Sequence, residues 1–408
     1  MDEQFLPDKE LLFRAVALLC EGNPARSADR IPSNFPADGM DPSKVIDLLG
    51  SDVIAGAAKL GAPTSMAHMD PPTPTITWAV SMWNAALNQN LLHPATAPFA
   101  LEAEKTVMRW VAPLFGMTGG HMTSGSTVAN LTALWAAREQ ANVEQIVMSD
   151  KTHLSVEKAA NILSLPVIKI GTGSDGKLPI SRLPGDLSRS VLVLNAGTTS
   201  TGMIDPLEAS GIAKWTHVDG AWAAPMMFTK YAKRLEGIEL ADSIAISAHK
   251  WLFQPKDSAI ILFRDNDGAA DSISFGADYL NEPNVGVLGS RGAKGVLLLA
   301  TILSFGKRGL ARRIEGCVAS SEILADFVEN DGRLELFANP ETAVVVWRPS
   351  ELSVFDQVQS GLPEGAVSTT RLDGDLWFRN VFTNPNADVE NYVVMLEEVL
   401  NKLVKNNP

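Results

Sequence analysis

The spacing of apolar residues changes several times along the chain, and each spacing predicts a different kind of element. Between Asp8 and Cys20 apolar residues recur at helical spacing, which predicts an amphipathic helix capped by Asp8. Beyond Ala100 two helical stretches, 102–114 and 127–138, accompany short apolar runs that favour β-strands. The predicted strands are 145–148, 166–170, 190–194, 215–219, 243–247 and 258–263.

Strands that alternate with helices predict an α/β fold with a mostly parallel sheet covered by helices. After Arg291 the pattern changes to helices over 297–306 and 311–327, strands near 342–347 and 376–381, and a last helix over 387–403. Turn-forming residues predict loops at 24–41 and 66–74. We therefore expect a helical and loop segment at 1–86, a large α/β domain at 87–310 and a small α+β domain at 311–408.

The composition is that of an ordinary globular protein, with 46% hydrophobic and 20% charged residues among 408. The formal net charge of −13 argues against nucleic-acid and anionic-membrane partners, because both bind clustered basic side chains. Cys20 and Cys317 lie far apart in apolar helical contexts, so we expect two buried thiols and no metal site. The absence of a basic N-terminal region and of a ~20-residue apolar run favours a cytoplasmic protein that acts on small molecules.

Lys250 is the strongest candidate for covalent chemistry. It directly follows the strand predicted at 243–247, and the carboxyl ends of strands are where α/β sheets bind their ligands. Burial there lowers the pKa of a lysine amine and makes it a nucleophile able to form a Schiff base. Taken alone, a lysine is far more often a solvated surface group, so the assignment depends on its neighbours.

Several loops that the predicted topology places near Lys250 contain residues that would suit a phosphorylated pyridine aldehyde. Ser126 and Thr127 open a predicted helix, whose N-terminal amides favour a phosphate. Asp219 ends a strand and would keep a pyridine nitrogen protonated, while Ala221 leaves room for a flat ring. His153 follows the strand at 145–148, where an imidazole would stack on the ring.

Each of these features has a simpler interpretation when taken alone. The serine and threonine fit helix capping, the aspartate fits a turn cap, and the histidine fits a satisfied core residue. Thr198, in the loop 195–199, adds a hydroxyl at another strand end. Because all these loops converge at one edge of the predicted sheet, their combination favours a cofactor site.

The order of the motifs resembles that of the group II pyridoxal-phosphate-dependent decarboxylases, the glutamate and aromatic amino acid decarboxylase family of fold type I. The resemblance extends from about residue 87 to residue 403 and rests on motifs that are specific in combination. They are Ser-Gly-Ser-Thr at 124–127, His153, Gly-Thr-Thr-Ser-Thr-Gly-Met-Ile-Asp-Pro at 197–206, His-Val-Asp-Gly-Ala-Trp at 217–222 and Ser-Ala-His-Lys at 247–250.

The resemblance implies that pyridoxal 5'-phosphate is the cofactor and that Lys250 carries it covalently. It further implies that Asp219 pairs with the pyridine nitrogen and that His153 stacks on the ring. Ser126, Thr127 and His249 are implied to hold the phosphate.

Two more matches concern the reaction rather than the cofactor. Arg379 matches the family arginine that binds the substrate α-carboxylate, a role that suits the guanidinium fork. Tyr279 resembles the mobile-loop tyrosine that protonates Cα once carbon dioxide has left. Taken alone, Arg379 fits a surface ion pair and Tyr279 fits a core residue.

The chain is similar in its short N-terminal region to the compact tyrosine/aspartate decarboxylases. The loop that contains Ser290 resembles one that reaches the phosphate of a partner subunit, which implies a homodimer with shared active sites. Asn90 and His93 lie in the expected substrate pocket, but their segment follows neither the glutamate nor the aromatic pattern.

The expected activity is α-decarboxylation of an L-amino acid with a small, acidic or aromatic side chain. One alternative keeps the cofactor and changes the reaction to that of an aldehyde synthase or a carbon-carbon lyase. The other is a non-catalytic protein that binds a partner, although the presence of Lys250, Asp219, His153 and Arg379 argues against it.

Overall fold

A seven-stranded sheet forms the centre of the computed structural model, which describes residues 6–21 and 34–406. In chain order its strands are β1 (Gly119–Thr123), β2 (Gln145–Ser149), β3 (Val167–Ile170), β4 (Ser190–Asn195), β5 (Trp215–Asp219), β6 (Ser243–Ile246) and β7 (Ala259–Phe263). Across the sheet they lie in the order β1, β7, β6, β5, β4, β2, β3. All residues of β4 to β7 are buried, because helices cover both faces of the sheet.

Strands β2 to β6 pair in parallel, and β7 runs antiparallel to both of its neighbours, β6 and β1. The carboxyl ends of β1, β2, β4, β5 and β6 therefore meet at one edge of the sheet. The predicted α/β class with a mostly parallel sheet is confirmed, and each of the six predicted strands is present with its ends shifted by at most two residues.

Strand β1 was absent from the sequence prediction because two glycines and a histidine hide its apolar pattern. At Gly120 an added Cβ would lie 2.0 Å from the carbonyl oxygen of Ile261 on β7. Only glycine permits this close pairing of the two backbones. Gly120 thus allows β1 to pair in the sheet, although a glycine in the sequence does not predict a β-strand.

Six helices accompany the strands through residue 330. They are α3 (Thr75–Leu87), α4 (Pro98–Val111), α5 (Ser126–Ala141), α6 (Leu154–Leu163), α7 (Asn266–Ser272) and α8 (Lys294–Asn330). A short two-stranded sheet, β8 (Ser274–Phe275) with β9 (Asn284–Val285), precedes α8. The two helices predicted at 297–306 and 311–327 form the single α8, interrupted by non-helical backbone at Gly306.

The C-terminal part is an antiparallel four-stranded sheet with helices against it. Its strands are β10 (Leu334–Leu336), β11 (Val344–Pro349), β12 (Ser368–Leu372) and β13 (Asp375–Val381), in the order β10, β11, β13, β12. The helices of this part are α9 (Phe355–Gly361) and α10 (Val389–Asn406). Because α8 crosses position 310, one helix belongs to both predicted domains, and the boundaries at 86/87 and 310/311 stay predictions.

The chain divides by its contacts into two compact units, Met1–Lys59 and Leu60–Pro408. In the first unit, α1 (Lys9–Glu21) packs against α2 (Pro42–Gly56). Asp8 caps α1 as predicted, since its Oδ1 accepts a hydrogen bond from the Leu11 amide at 3.0 Å. Of the loop predicted at 24–41, residues 24–33 lie outside the described part of the chain.

The expectation of two buried thiols is half wrong. Cys317 is buried on α8, but Cys20 is exposed on α1. The apolar residues around Cys20 mark an amphipathic helix, and the cysteine lies on the exposed side of it. None of the described helices combines the length and the apolarity that a bilayer span requires.

Candidate active site

A cavity of about 300 Å³ lies at the edge where the carboxyl ends of the parallel strands meet. This is the position that open α/β sheets use for ligands. The structure brings eight of the nine predicted cofactor residues to its wall, namely Ser126, Thr127, His153, Thr198, Asp219, Ala221, His249 and Lys250.

Lys250 enters the cavity from the turn that follows β6, where its amide donates to the carbonyl of Ser247 at 3.2 Å. Loss of solvation lowers the pKa of Lys250, and Asp219 partly opposes that shift. Within the described residues its ammonium group lies within 4 Å of no carboxylate. A buried lysine amine without an ion pair is suited to act as a nucleophile.

The start of α5 forms one end of the cavity. No side chain caps this helix, and Gly125 before it has a φ of 101°, a conformation that favours glycine. His249 lies beside it, and its buried Nδ1 has no hydrogen-bond partner among the described residues. Uncapped helix amides and an unpartnered imidazole nitrogen suit a phosphate group.

Asp219 is almost fully buried at the end of β5, with 6% of its surface exposed. Its Oδ1 accepts from the Ala221 amide at 3.1 Å, and its Oδ2 accepts from the Asn130 side chain at 2.9 Å. Both partners are neutral hydrogen-bond donors, and neither is a cation. A protonated pyridine nitrogen is the partner that such a group fits.

His153 follows β2 and begins α6, where its Nδ1 lies 2.8 Å from Ser155 Oγ. Burial lowers the pKa of His153, although Asp219 raises it in part. The imidazole is therefore held neutral. Thr198, in the loop after β4, contacts Thr201 through a 2.7 Å hydrogen bond between the two hydroxyls.

Arg379 lies on β13, close to the cavity but outside its wall. Its guanidinium donates to the carbonyl of Thr199, a cavity residue, at 2.9 Å and to the carbonyl of Ala67 at 3.3 Å. Its buried Nε has no partner among the described residues. The structure thus contradicts the surface ion pair.

The remaining predicted residues form a separate set, called here the outer group: Asn90, His93, Tyr279 and Ser290. Asn90 Nδ2 donates to Ser290 Oγ at 3.1 Å, and the rings of His93 and Tyr279 are 6.4 Å apart. No member lines the Lys250 cavity. Tyr279 is 71% exposed, which excludes the core alternative for it.

Sequence reasoning missed several residues of the site. Lys256 and Asp257 line the cavity, and Lys256 forms an ion pair with Asp70. The turn 255–257 gave no signal beyond its turn-forming composition. Asn130 looked like an ordinary polar residue of a helix, and only its contact with Asp219 reveals it.

The polar groups of the cavity match the parts of a phosphorylated pyridine aldehyde. The unpartnered His249 nitrogen and the uncapped α5 fit its phosphate, the buried Asp219 fits its ring nitrogen, and Lys250 fits its aldehyde. Among the described residues, no group of three or more His, Cys, Asp or Glu side chains is placed to hold a metal ion.

Comparisons with known proteins agree with this chemistry. Residues 24–349 match the family model described as the pyridoxal-dependent decarboxylase conserved domain. The chain is 29% identical over 403 residues to L-2,4-diaminobutyrate decarboxylase of Rhizobium meliloti, with 86% of this chain and 80% of that protein covered. It is 27% identical over 382 residues to aspartate 1-decarboxylase of Aliivibrio fischeri, with 78% and 70% covered.

The fold is also similar to that of a solved structure. Oryza sativa TDC, crystallised with PLP and tryptamine, superimposes with a TM-score of 0.86 at 20% identity, covering 97% of this chain and 98% of the other. This similarity confirms the predicted fold type.

Proposed function

We propose, from the premise that this chain belongs to the pyridoxal-dependent decarboxylase family, that it removes the α-carboxyl group of an L-amino acid as carbon dioxide. Members of that family are amino acid decarboxylases that use pyridoxal 5'-phosphate. The observation that carries the proposal is the convergence of Lys250, Asp219 and His153 in one cavity, with Arg379 bonded to its wall.

The cofactor supplies an electron sink for the bond that breaks at Cα. In our proposal Lys250 Nζ would hold the cofactor covalently. Asp219 would keep a proton on the pyridine nitrogen, and His153 would pack on the ring. Ser126, Thr127 and His249 would hold the phosphate at the start of α5.

Arg379 binds the substrate α-carboxylate in this proposal. Its remaining donors are free of protein acceptors among the described residues, while the carbonyls of Thr199 and Ala67 fix the plane of the guanidinium. Fixing the carboxylate by a planar fork orients the bond to Cα, which is how enzymes select the bond that breaks. Tyr279 then returns a proton to Cα.

The family includes relatives named for substrates of different charge, such as L-2,4-diaminobutyrate and aspartate. We propose that the substrate is an L-amino acid, and the following experiment is designed to identify its side chain. The purified protein with pyridoxal 5'-phosphate is incubated with single L-amino acids that have small, acidic, basic or aromatic side chains. Release of carbon dioxide with an equal amount of the amine is the expected result.

Two variants serve as controls for this experiment. Lys250→Ala is expected to abolish turnover, whereas Lys307→Ala, which removes an exposed lysine of α8, retains it. Aldehyde and ammonia as the main products would replace decarboxylation by the aldehyde-synthase alternative. Full turnover by Lys250→Ala would overturn the proposal.

We also propose that the protein is a homodimer with shared sites. Two observations support this proposal. Ser290 and Tyr279 do not line the Lys250 cavity of the chain to which they belong. Helix α3 exposes large apolar side chains, with Trp83 60% and Leu87 65% exposed. Sedimentation at micromolar concentration is expected to give twice the mass of one chain. A monomer that is fully active at that concentration contradicts the shared site.

A further inference from the structure

A chain of hydrogen bonds lies behind Asp219, on the side away from the cavity. It begins on β5 and β6, crosses to Asn130 on α5 and ends on α6. The three polar residues that connect these elements, Asn130, His217 and Ser155, are fully buried. Burying so many polar groups costs free energy of folding unless every donor has an acceptor. The donor and the acceptor of each hydrogen bond can therefore be worked out in turn.

His217 receives its orientation from β6. Trp215 Nε1, which is only a donor, gives its hydrogen to Ser243 Oγ at 2.9 Å. Ser243 Oγ also lies 2.9 Å from His217 Nδ1. We assign its hydrogen to Nδ1, because Asn130 turns its amide oxygen toward Nε2 and so needs a donor there. A neutral His217 then carries its proton on Nε2, and burial supports neutrality because it lowers the pKa of His217 to about 4.

The Nε2 proton of His217 matches the orientation of the Asn130 amide. His217 Nε2 lies 3.0 Å from Asn130 Oδ1 and donates to it. The NH₂ group of Asn130 must then face the other way, where one hydrogen goes to Asp219 Oδ2 at 2.9 Å and the other to Ser155 Oγ at 2.8 Å. A flipped amide would place its oxygen against the Asp219 carboxylate, which is repulsive.

The last bond reaches the second histidine of the cavity. His153 Nδ1 accepts from the Ser155 amide at 3.3 Å and lies 2.8 Å from Ser155 Oγ. Because the Ser155 amide donates to His153 Nδ1, that nitrogen is an acceptor and the Ser155 hydroxyl can donate to it as well. His153 is therefore the tautomer with its proton on Nε2, and the Asn130 amide contacts Asp219 directly and His153 through Ser155.

We propose that Asn130, oriented by His217, is a positioning residue that holds the Asp219 carboxylate toward the cofactor ring nitrogen and, through Ser155, supports the Nε2–H tautomer of His153. For catalysis this rests on the proposed function, but the hydrogen-bond directions do not. Neither residue reaches the cavity wall, so both act through Asp219 and His153.

The directions are tested first on the wild-type protein without cofactor. Nitrogen-15 NMR of protein labelled at histidine distinguishes the two tautomers, and the His217 signal is identified by its loss in His217→Gln. A neutral His217 with its proton on Nε2 at about pH 7 is expected. A proton on Nδ1, or a charged imidazolium, would overturn the proposal.

The positioning role is tested by Asn130→Asp, which sets a carboxylate beside Asp219. Two carboxylates at hydrogen-bond distance share one proton, so Asp219 loses part of its charge. We expect a roughly 10- to 100-fold fall in kcat with little change in KM, as is typical when a supporting partner is removed. Bound ¹⁵N-labelled pyridoxal phosphate is expected to shift from a protonated to an unprotonated ring nitrogen.

Asn391→Asp makes the same chemical change at an exposed position of α10 and is expected to alter neither readout. If Asn130→Asp does not fold by circular dichroism, the pair His217→Gln and His217→Phe replaces it. Glutamine can still donate to Asn130 Oδ1 and is expected to retain most of the protonated nitrogen signal, which phenylalanine loses.

The outcomes separate this inference from the proposed function. Wild-type protein that binds the cofactor with a protonated ring nitrogen but releases no carbon dioxide from any amino acid disproves the function and leaves the inference standing. Asn130→Asp that folds and retains both kcat and the protonated nitrogen disproves the inference and leaves the function standing.

Discussion

The Lys250 cavity and the outer group differ in how the fold holds their side chains. In the cavity, Asp219 and His153 are bonded to buried partners that come from the sheet and from the helices behind it. In the outer group, Tyr279 is 71% exposed and Asn90 contacts Ser290 by one exposed hydrogen bond. The protein itself thus holds the side chains of the cavity in place. The side chains of the outer group have no comparable set of buried partners.

The difference follows from where each residue lies along the chain. Cavity residues are within a few positions of a buried strand end, and the sheet fixes them with it. Tyr279 lies on the connection between β8 and β9, and Ser290 on the connection between β9 and α8. Segments of this kind, with few buried contacts, are the ones that proteins move or complete with a partner.

The largest effect is expected from Asp219→Asn in the cavity. An amide cannot hold the pyridine nitrogen protonated, so kcat falls by about 10³-fold, or ~4 kcal/mol of transition-state stabilisation. Steady-state carbon dioxide release measures it. Asp257→Asn is the matched control, because Asp257 is an exposed carboxylate that lines the same cavity. Equal losses in both variants would show that net cavity charge, rather than Asp219 itself, is what matters.

Tyr279→Phe tests whether the outer group takes part at all. If its hydroxyl protonates Cα, amine formation falls by about 10²-fold, and under air aldehyde appears among the products. Tyr231→Phe, at a half-buried tyrosine beside Arg234, is expected to behave like the wild type. Unchanged turnover in Tyr279→Phe would confine the active site to the cavity.

Subunit mixing then shows which chain supplies the tyrosine. Lys250→Ala and Tyr279→Phe are each expected to be poorly active alone. Mixed after denaturation and refolding, they are expected to regain a measurable share of wild-type activity, because one of the two shared sites in a mixed dimer has both residues. No recovery would place the tyrosine and the lysine of one site on the same chain.

Arg379→Lys tests the residue that lies between the two regions. A lysine keeps the charge but loses the planar fork and its two carbonyl contacts, so KM is expected to rise roughly 10- to 100-fold. Steady-state kinetics measure it, with Arg371→Lys on the exposed part of β12 as control. A change in kcat alone would argue against carboxylate binding.

The smallest effect concerns stability in acid. Folding lowers the pKa of His217 from 6.5 to about 4, because burial penalises the imidazolium. Between those pH values the unfolded chain binds the extra proton, so the free energy of unfolding falls as the pH falls, by up to about 1.4 kcal/mol per pH unit. His217→Gln is expected to reduce this slope in urea unfolding near pH 7 and 5. An unchanged slope would show that His217 is not buried neutral.

The sequence alone was sufficient for the α/β class, for the six strands and for the residues at their ends. Strand ends follow from short apolar periodicity, and parallel topology then brings Lys250, Asp219 and His153 together at one edge. It failed at β1, where the pairing of Gly120 with β7 needs a residue that has no strand preference. It failed also at Cys20, because the apolar spacing of a helix does not say which side is covered.

What only the tertiary structure decided is the support behind the site and the separation of the outer group. Asn130 and His217 are 87 positions apart and give no joint signal along the chain, yet their side chains meet at 3.0 Å behind Asp219. Asn90 and Ser290 are 200 positions apart and meet away from the Lys250 cavity. Hydrogen-bond direction depends on distances and angles between elements, and a linear pattern of apolar and polar residues does not contain them.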